Sequence, residues 1–178
     1  MGHKYSRQDI LAGALAVALE GGLSKLSFGR VGKHLSISDR MVVYYFPTKA
    51  DLVAAVVVAI GSHLQATLDE AVDARVTDHR ALLRQAWPVL ARPENDRAFG
   101  LFFEANGLAA AGQTPYDRLV PDLIAAWVDW AAGHVDGTRE HRRAEAEATI
   151  ALADGLLLFR QLAGAEAAQR VADRLGVG

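Results

Sequence analysis

Apolar residues recur along most of this chain at α-helical spacing. We expect the first segment to form a helix capped by Ser6 and ending near Glu20. Its apolar positions form two rows at intervals of four and share one face: Ile10, Leu11, Ala14, Leu15, Ala18 and Leu19. Gly21 and Gly22 then stop the helix. No segment alternates apolar and polar residues as a half-buried strand does, so the pattern predicts an all-α protein.

The next segment, from Ser27 to Leu52, predicts two short helices joined by a tight turn, then a proline stop and a long helix. Ser27 and Ser38 are the expected N-caps of the short helices. Pro47 ends the second of them, and Thr48 caps the long helix. Apolar pairs four positions apart mark the inward faces: Val31 with Leu35, and Val42 with Phe46. This is the layout of a helix-turn-helix DNA reader.

The remaining chain predicts a series of helices at 49–74, 78–91, 96–111, 115–135, 138–163 and 165–175. We expect the second of them to bend or break near Pro88. The third is apolar on most sides and should be buried centrally. The predicted architecture is an N-terminal three-helix domain, residues 1–48, joined through the long helix to a C-terminal helical domain, residues 49–178. Because a continuous helix crosses this boundary, we expect the two parts to be joined mechanically.

Composition narrows the classes of function. None of the 178 residues is cysteine, which excludes disulfides and thiolate metal sites. The N-terminus lacks the order of a signal peptide, and no uninterrupted apolar run reaches about 18 residues. We therefore expect a cytoplasmic protein without a membrane span.

Charge is distributed unevenly, although the net charge is only −2. Residues 1–50 carry seven Lys or Arg against three acids, a net charge of +4. Residues 51–178 carry 12 Arg against 18 acids, a net charge of −6. A basic head on an acidic body fits a chain that meets a polyanion at one end.

The third predicted helix, residues 38–46, turns polar and aromatic groups outward. Arg40 can donate two parallel hydrogen bonds to guanine O6 and N7. Asp39 could accept from a cytosine amine, brace Arg40, or lie outside the contact. Lys49 and the free N–H groups that begin the long helix would converge on one phosphate, and Ser27 could do the same at its own helix. The full set of expected DNA contacts is Ser27, Ser38, Asp39, Arg40, Met41, Val43, Tyr44, Tyr45 and Lys49.

The stretch from Ile10 to Leu52 resembles the N-terminal domain of the TetR family of bacterial transcriptional regulators. The most specific part is VVYYFPTKADL, which is similar to the family's signature of two aromatic residues, Phe-Pro, Ser or Thr, Lys, and a Leu three positions later. The resemblance implies a homodimer with two DNA-reading heads, a C-terminal domain that holds a ligand pocket, and repression that a small molecule relieves. It also implies that phosphate contacts come from Tyr44, Tyr45 and Lys49.

Two positions depart from the family's pattern. The turn position that is usually glycine is Ser36, which must accept a positive φ at some cost or use a different turn. The position before the aromatic pair, usually tyrosine, is Val43. One expected hydroxyl is therefore missing there, although a valine could contact a thymine methyl group.

The last long predicted helix carries a stripe of small and apolar residues suited to close helix packing: Ala148, Ala151, Leu152, Gly155, Leu156, Phe159 and Leu162. A regulator that reads two half-sites needs a two-fold partner. We therefore expect helices 138–163 and 115–135 to pair with their copies as a four-helix bundle. Burial of the stripe within one chain is the alternative.

Candidate ligand contacts in the body are aromatic residues with a few polar partners: His63, Trp87, Phe99, Phe103, Glu104, Asn106, Trp127 and Trp130. Packing in the core is the alternative for the aromatic residues. Glu104 lies in the most apolar helix, and a buried carboxylate needs a partner. We expect that partner to be Arg84, Arg97 or a cationic ligand.

The predicted function is a DNA-binding transcriptional regulator, in particular a repressor that binds a palindromic operator as a homodimer. A small, largely apolar ligand would release it by shifting the long fourth helix and, with it, Lys49. We expect no cofactor, no metal site and no catalytic residue. The alternatives are a helical-bundle enzyme and an adaptor without DNA binding. The sequence lacks the common catalytic and nucleotide-binding motifs: Glu-x-x-His, His-Glu-x-x-His, Gly-x-Gly-x-x-Gly, the phosphate-binding loop and Gly-x-Ser-x-Gly.

Overall fold

Helices dominate the part of the chain that the computed structural model describes, residues 5–72 and 74–178. Short 3₁₀ turns span Leu23–Lys25 and Pro93–Asn95, and one isolated β-bridge joins Val76 to Val135. This architecture confirms the predicted all-α fold class. The α-helices in these residues are α1 (Arg7–Gly21), α2 (Phe28–Leu35), α3 (Asp39–Tyr45), α4 (Lys49–Ala71), α5 (His79–Leu90), α6 (Asp96–Ala110), α7 (Tyr116–Gly133), α8 (Arg139–Ala163) and α9 (Ala165–Leu175).

Contacts divide the chain into two compact units. The first contains the described residues up to Gly61 together with Gly100–Val120. The second contains Ser62–Phe99 and Pro121–Gly178. Helices α4, α6 and α7 each continue from one unit into the other. The functional boundary near Lys49 stays a prediction, because compactness does not test which residues bind DNA, a ligand or a second copy.

A small apolar core holds the helices of the first unit. The Ser6 hydroxyl accepts from the Asp9 N–H at 3.2 Å, and the Asp9 carboxylate accepts from the Ser6 N–H at 2.7 Å, so α1 begins with a capping box. A Cβ at Gly13 would lie 2.7 Å from Leu35 Cγ. Glycine is therefore what lets α1 and α2 approach closely. Between Ile10 and Phe46, the apolar side chains with essentially no exposure are Ile10, Ala14, Ala18, Leu23, Leu26, Val31, Val42 and Phe46.

The turn between α2 and α3 contains the left-handed residue that the sequence implied. Ser36 has φ 57° and ψ 40°, and its N–H donates to the carbonyls of Gly32 and Lys33. A left-handed conformation costs a residue with a side chain about 1–2 kcal/mol. Gly32 is buried beneath the turn, where a Cβ would lie only 3.0 Å from the Ile37 carbonyl oxygen. The tightness of the turn thus depends on Gly32, while Ser36 bears its backbone strain.

The second unit is organised by α5 and α8. The Asp78 carboxylate caps α5 by accepting from the N–H groups of Ala81 and Arg80, and these bonds, chiefly the one from Ala81, lower the pKa of Asp78. The helix runs through Pro88 to Leu90, so of the two predicted outcomes, a bend or a break, the break is wrong. The proline lies close to the helix end, where its missing N–H removes a single backbone bond. One cluster of the core comprises Val72, Val76, Leu82, Val128, Ala131, Val135 and Ala146.

Helix α6 is less buried than its composition predicted. Its first residue, Asp96, receives the Arg160 guanidinium at 2.7 and 3.0 Å in the second unit. Phe99 and Leu101 are buried, but the remaining large apolar side chains of the helix, Phe102, Phe103 and Leu108, are only half buried. The expectation of central burial is therefore corrected. An apolar residue need not be internal, because apolar atoms supply much of any folded protein's surface.

Helix α4 bears on the expectation that no segment spans a membrane. With 23 residues, it is long and apolar enough to cross a membrane by length and composition. Its sequence contains no unbroken apolar run of that length, because polar residues such as Ser62 and His63 interrupt it. The core helix of a soluble protein passes the same test. The buried side chains of α4 recur at helical spacing, as in a core helix: Leu52, Val53, Val56, Val57, Ile60, Leu64 and Leu68.

Candidate nucleic-acid interface

Helix α3 is a short element anchored on one side and open on the other. Val42 and Phe46 are buried beneath it, as predicted. Tyr44 is 77% exposed, and Asp39 and Arg40 are exposed as well. Two apolar side chains, Met41 and Val43, also face solvent. The outer face therefore offers a guanidinium, a phenol and two apolar contacts to any surface that meets it.

The N-terminal segment before α1 fastens α2 and α3 together. The Tyr5 hydroxyl donates to the Leu35 carbonyl at 2.8 Å, and the Tyr45 hydroxyl donates to the Tyr5 carbonyl at 2.8 Å. The Arg7 guanidinium lies 4.7 Å from the centre of the Phe46 ring, a cation–π distance. Tyr5 and Arg7 were not among the predicted site residues, because neither belongs to the apolar periodicity that identified the core.

These bonds change what Tyr45 can do. Its side chain is half buried and its hydroxyl proton is already donated to the Tyr5 carbonyl. The ring packs edge to face on Tyr44, with the centroids 5.0 Å apart. A phosphate would have to displace Tyr5 to receive that proton. Of the two tyrosines predicted to bind phosphate, Tyr44 is the one whose ring stands in solvent.

The start of α3 differs from the expected cap. Ser38 occupies the N-cap position, but its side chain makes no cap hydrogen bond. The Asp39 carboxylate instead accepts from the Arg40 N–H at 2.9 Å. In this conformation Asp39 is turned to the backbone rather than to the Arg40 guanidinium, because free N–H groups in a first helical turn attract a carboxylate.

The starts of α2 and α4 are capped as predicted. The Ser27 hydroxyl accepts from the Arg30 N–H at 3.3 Å. The Thr48 hydroxyl accepts from the Asp51 N–H at 3.1 Å, and the Asp51 carboxylate accepts from the Thr48 N–H at 3.0 Å. Lys49 is the first residue of α4 and is exposed. The first N–H groups of α4 and the Lys49 ammonium are thus left to meet an anion.

Exposed cations surround these helix starts. Lys25 ends the first 3₁₀ turn, and Arg30 and Lys33 lie on α2; all three are exposed. They were counted in the charge of the head but not among the predicted contacts. All three lie in the first unit, so their positive charge adds to that of Arg40 and Lys49.

Residues 10–56 match the family model of bacterial regulatory proteins of the tetR family. The matched segment spans about a quarter of the 178 residues. This match supports a DNA-binding transcriptional regulator rather than an enzyme. The match covers α1 to α3 and the start of α4, which are the elements that carry every predicted DNA contact.

Solved structures of several regulatory and drug-binding proteins share the fold. A transcriptional regulator from Rhodococcus sp. Rha1 is 22% identical, with a TM-score of 0.71 over 92% of this chain and 91% of that one. A TetR regulator from Legionella pneumophila is 19% identical, with a TM-score of 0.68 over 98% and 99%. The multidrug binding protein EbrR, solved with imidazole, is 22% identical, with a TM-score of 0.69 over 95% and 88%. No curated protein matches the sequence.

The candidate ligand residues of the second unit fall into different environments. Trp87 is buried and its indole N–H donates to Gln169 Oε1 at 3.0 Å, so it is a core residue with a satisfied donor. Phe99 is buried as well, and His63 is exposed. Trp127 and Trp130 remain half buried, with ring centroids 5.7 Å apart. They are the aromatic candidates of this unit that a ligand could reach.

Trp130 already has a partner on its polar edge. Its indole N–H donates to Asp69 Oδ1 at 2.6 Å, and its ring lies 4.6 Å from that of His134. Both neighbours are polar groups beside an aromatic surface. Neither Asp69 nor His134 was singled out from the sequence, because the two stand 65 positions apart and no local pattern relates them.

The candidate residues in the first unit are Phe103, Glu104 and Asn106. Phe103 is half buried and packs against Phe102 with ring centroids 5.7 Å apart. The Asn106 side-chain oxygen is enclosed and has no hydrogen-bond partner within the described residues. Such an unsatisfied acceptor is costly unless something binds it. Asn106 therefore keeps its place among the candidate ligand contacts.

The expected partners of Glu104 are wrong. Its carboxylate accepts from the backbone N–H groups of Leu23 and Ser24, at 2.8 and 2.9 Å. Arg84 instead donates to the Gly176 carbonyl at 3.1 and 2.8 Å. Two backbone N–H groups of a turn supply the hydrogen bonds that the carboxylate requires, so neither an arginine nor a cationic ligand is required there.

The predicted dimer stripe forms one wall of an open apolar groove of about 310 Å³. Leu162 is 79% exposed and Phe159 is 42% exposed. Ala151 and Gly155 are also exposed, whereas Ala148 and Leu152 are half buried. Leu156 departs from the prediction, because it is buried within its own chain. The residues that line the groove are Ala151, Leu152, Gly155, Leu156 and Phe159 of α8 with Val171 and Leu175 of α9.

The other wall of the groove comes from α9 rather than from α7. Val171 is an exposed apolar residue of α9, and Leu175 is half buried. Residues 115–135, the second helix of the predicted four-helix bundle, do not line this groove, and their part in a dimer stays a prediction.

Proposed function

We propose that this regulator is a homodimeric repressor that binds a palindromic operator and is released by a small, largely apolar ligand. In this proposal residues 1–48 bind DNA in the cytoplasm, and residues 49–178 bind the ligand and dimerise. The observation that carries it is the outer face of α3, flanked by exposed cations at the starts of α2 and α4.

The DNA contacts divide into reading and positioning roles. Arg40 reads a guanine, while Met41 and Val43 contact base edges, for example thymine methyl groups. Tyr44 and Lys49 hold phosphates, and their loss should weaken binding to all sequences. Secondary contacts come from the helix-start residues Ser27 and Ser38, from Tyr45 as an acceptor, and from Asp39 once it turns toward a cytosine amine.

In this proposal α7 and α8 pair with their copies as a four-helix bundle, and the groove of α8 and α9 with the exposed Phe159 and Leu162 forms part of the dimer face. A face of large apolar side chains beside small ones permits close helix approach by a second copy. The alternative, burial of the stripe within one chain, holds for Leu156 but not for the two exposed residues. Two-fold pairing would give the two heads that a palindrome needs.

A ligand role is supported by the half-buried Trp127 and Trp130 and by the unsatisfied Asn106 oxygen. EbrR, a structural neighbour, is a multidrug binding protein complexed with imidazole, which fits a family fold that accommodates aromatic compounds. Helix α4 begins with Lys49 and continues into the second unit. A ligand that shifts α4 would move Lys49 and change operator affinity, with a coupling of about 1–3 kcal/mol.

The test is selection of a binding site from a random duplex pool, followed by footprinting and sedimentation of the complex. We expect an inverted repeat with half-sites spaced by about one or two helical turns, bound by two copies. A selected site without two-fold symmetry, bound by one copy, would contradict the homodimer. A failure to select any duplex would contradict the assigned DNA contacts.

A further inference from the structure

Glu104 of α6 makes a bond with the DNA-binding head that the proposed function does not use. Its two carboxylate oxygens accept from consecutive backbone N–H groups, Oε2 from Leu23 at 2.8 Å and Oε1 from Ser24 at 2.9 Å. The partners are 81 and 80 positions away in sequence and belong to the same compact unit. Bonds from N–H groups to a charged oxygen are about twice as strong as neutral ones.

The turn that donates hydrogen bonds to Glu104 has a backbone conformation that leaves room for the carboxylate. Gly22, just before the two donating residues, has φ 85° and ψ 165°, a conformation that disfavours a side chain. A Cβ there would lie 2.9 Å from Glu104 Oε2. A glycine is therefore required at this one position for two reasons, the positive φ and the close approach of the carboxylate. The side chain of Leu23 is fully buried beside the turn.

The turn Leu23–Lys25 is followed directly by the proposed DNA contacts. It ends at the exposed Lys25, and buried Leu26 then brings the chain to Ser27, the N-cap of α2. Arg30 lies in the first turn of α2. The start of α2 thus depends on a preceding backbone segment that is hydrogen-bonded to a side chain of α6.

We propose that Glu104 is a positioning residue for DNA binding: its carboxylate fixes the turn Leu23–Lys25, and so preorganises Lys25, Ser27 and α2 for the phosphate backbone. The inference rests on the proposed contacts of α2. It follows because a segment that must be ordered on binding lowers affinity, whereas one already held in place does not. Glu104 itself touches no DNA in this account.

Charge and position predict opposite effects for this residue, which makes the inference testable. A carboxylate in a DNA-binding head repels phosphate, so if charge alone mattered, Glu104→Gln would bind DNA more tightly. If position matters, the same variant binds more weakly, because a neutral amide cannot accept two N–H bonds in the same way. The number of phosphates contacted stays the same, so the slope of affinity against salt should not change.

The experiment compares the full-length wild-type chain with Glu104→Gln, and with Glu94→Gln as a control at an exposed glutamate. Binding to a random-sequence duplex is followed by fluorescence anisotropy across a range of salt concentrations. Amide hydrogen exchange of Leu23 and Ser24 is measured by NMR on the same proteins. Glu104→Asp, which keeps the charge on a shorter side chain, tests for partial rescue.

We expect Glu104→Gln to bind about tenfold more weakly with an unchanged salt slope, and to exchange faster at Leu23 and Ser24 while the amides of α8 stay protected. Glu104→Asp should lie between it and the wild type, and Glu94→Gln should match the wild type. Equal or tighter binding by Glu104→Gln would overturn the inference, and so would faster exchange throughout the chain. If the wild type itself fails to bind duplex, the proposed function fails first.

Discussion

Asp154 of α8 gives the most quantitative prediction about stability. Its carboxylate is largely buried, and that burial raises the pKa of Asp154 from 3.8 to about 6. Burial disfavours the charged form, so the folded state binds this proton more tightly than the unfolded state does. The folded protein is therefore penalised as pH rises from about 4 through 6, and the penalty is complete above that range.

The size of the penalty follows from the two pKa values. A difference of that size corresponds to about 3 kcal/mol at pH 8. Replacing the carboxylate by an amide of nearly equal shape removes the charge that burial penalises. We expect Asp154→Asn to raise the free energy of unfolding by up to about 3 kcal/mol at pH 8 and to change it little at pH 3.5, where the carboxyl group is mostly neutral in both states.

The assay is urea unfolding followed by circular dichroism, at fixed protein concentration and at several pH values between 3.5 and 8. Asp122→Asn is the matched control, because Asp122 is an exposed carboxylate of the same unit, and it should change stability little at any pH. An Asp154→Asn variant that is no more stable than wild type at pH 8 would refute the reasoning, since it would mean that the folded chain does not penalise this charge.

Three further predictions concern single side chains. The bonds from His79 to the Glu145 carboxylate, 2.6 Å from the ring nitrogen and 2.8 Å from the N–H, lower the pKa of Glu145. Glu145→Gln should therefore unfold more easily than wild type at pH 7. In denaturation series this deficit should start to shrink as pH falls below about 4.5 and should be lost once pH passes below the lowered pKa of Glu145. Ser36→Gly should raise the melting temperature, by the equivalent of about 1 kcal/mol, because it removes a left-handed serine; a lower value would show that the turn is not strained. Leu162→Glu should shift sedimentation from dimer to monomer, whereas Val58→Glu, at another exposed apolar residue, should not.

Local patterns predicted the helix-turn-helix well, because its determinants lie close together in sequence. The inward pair Val42 and Phe46, the caps at Ser27 and Thr48, and the left-handed Ser36 each depend on neighbours within a few positions. The start of α3 was less predictable. Whether Ser38 or Asp39 satisfies the first N–H groups depends on side-chain rotamers, which a sequence pattern does not specify.

Contacts between segments that are distant in the sequence could not be predicted from local patterns. The bond from Tyr45 to Tyr5 joins residues 40 positions apart, and that from Glu104 to Leu23 joins residues 81 positions apart. Composition indicated that a carboxylate in α6 needs a partner, but the chain offers many donors and nothing local selects backbone N–H groups over arginines. The same limit explains why Trp87 was counted with the ligand candidates although its indole N–H is satisfied by Gln169.

The central claim is that the basic head, with Arg40, Tyr44 and Lys49 at its surface, binds the DNA backbone. The most direct test is the affinity of the full-length protein for a random-sequence duplex as a function of salt. We predict a logarithmic slope of about −0.9 for each phosphate contacted, steep for wild type and smaller by about 1 for Lys49→Ala. Arg40→Ala should instead change the preferred sequence most. An affinity that does not vary with salt, or a Lys49→Ala variant with the wild-type slope, would contradict this account.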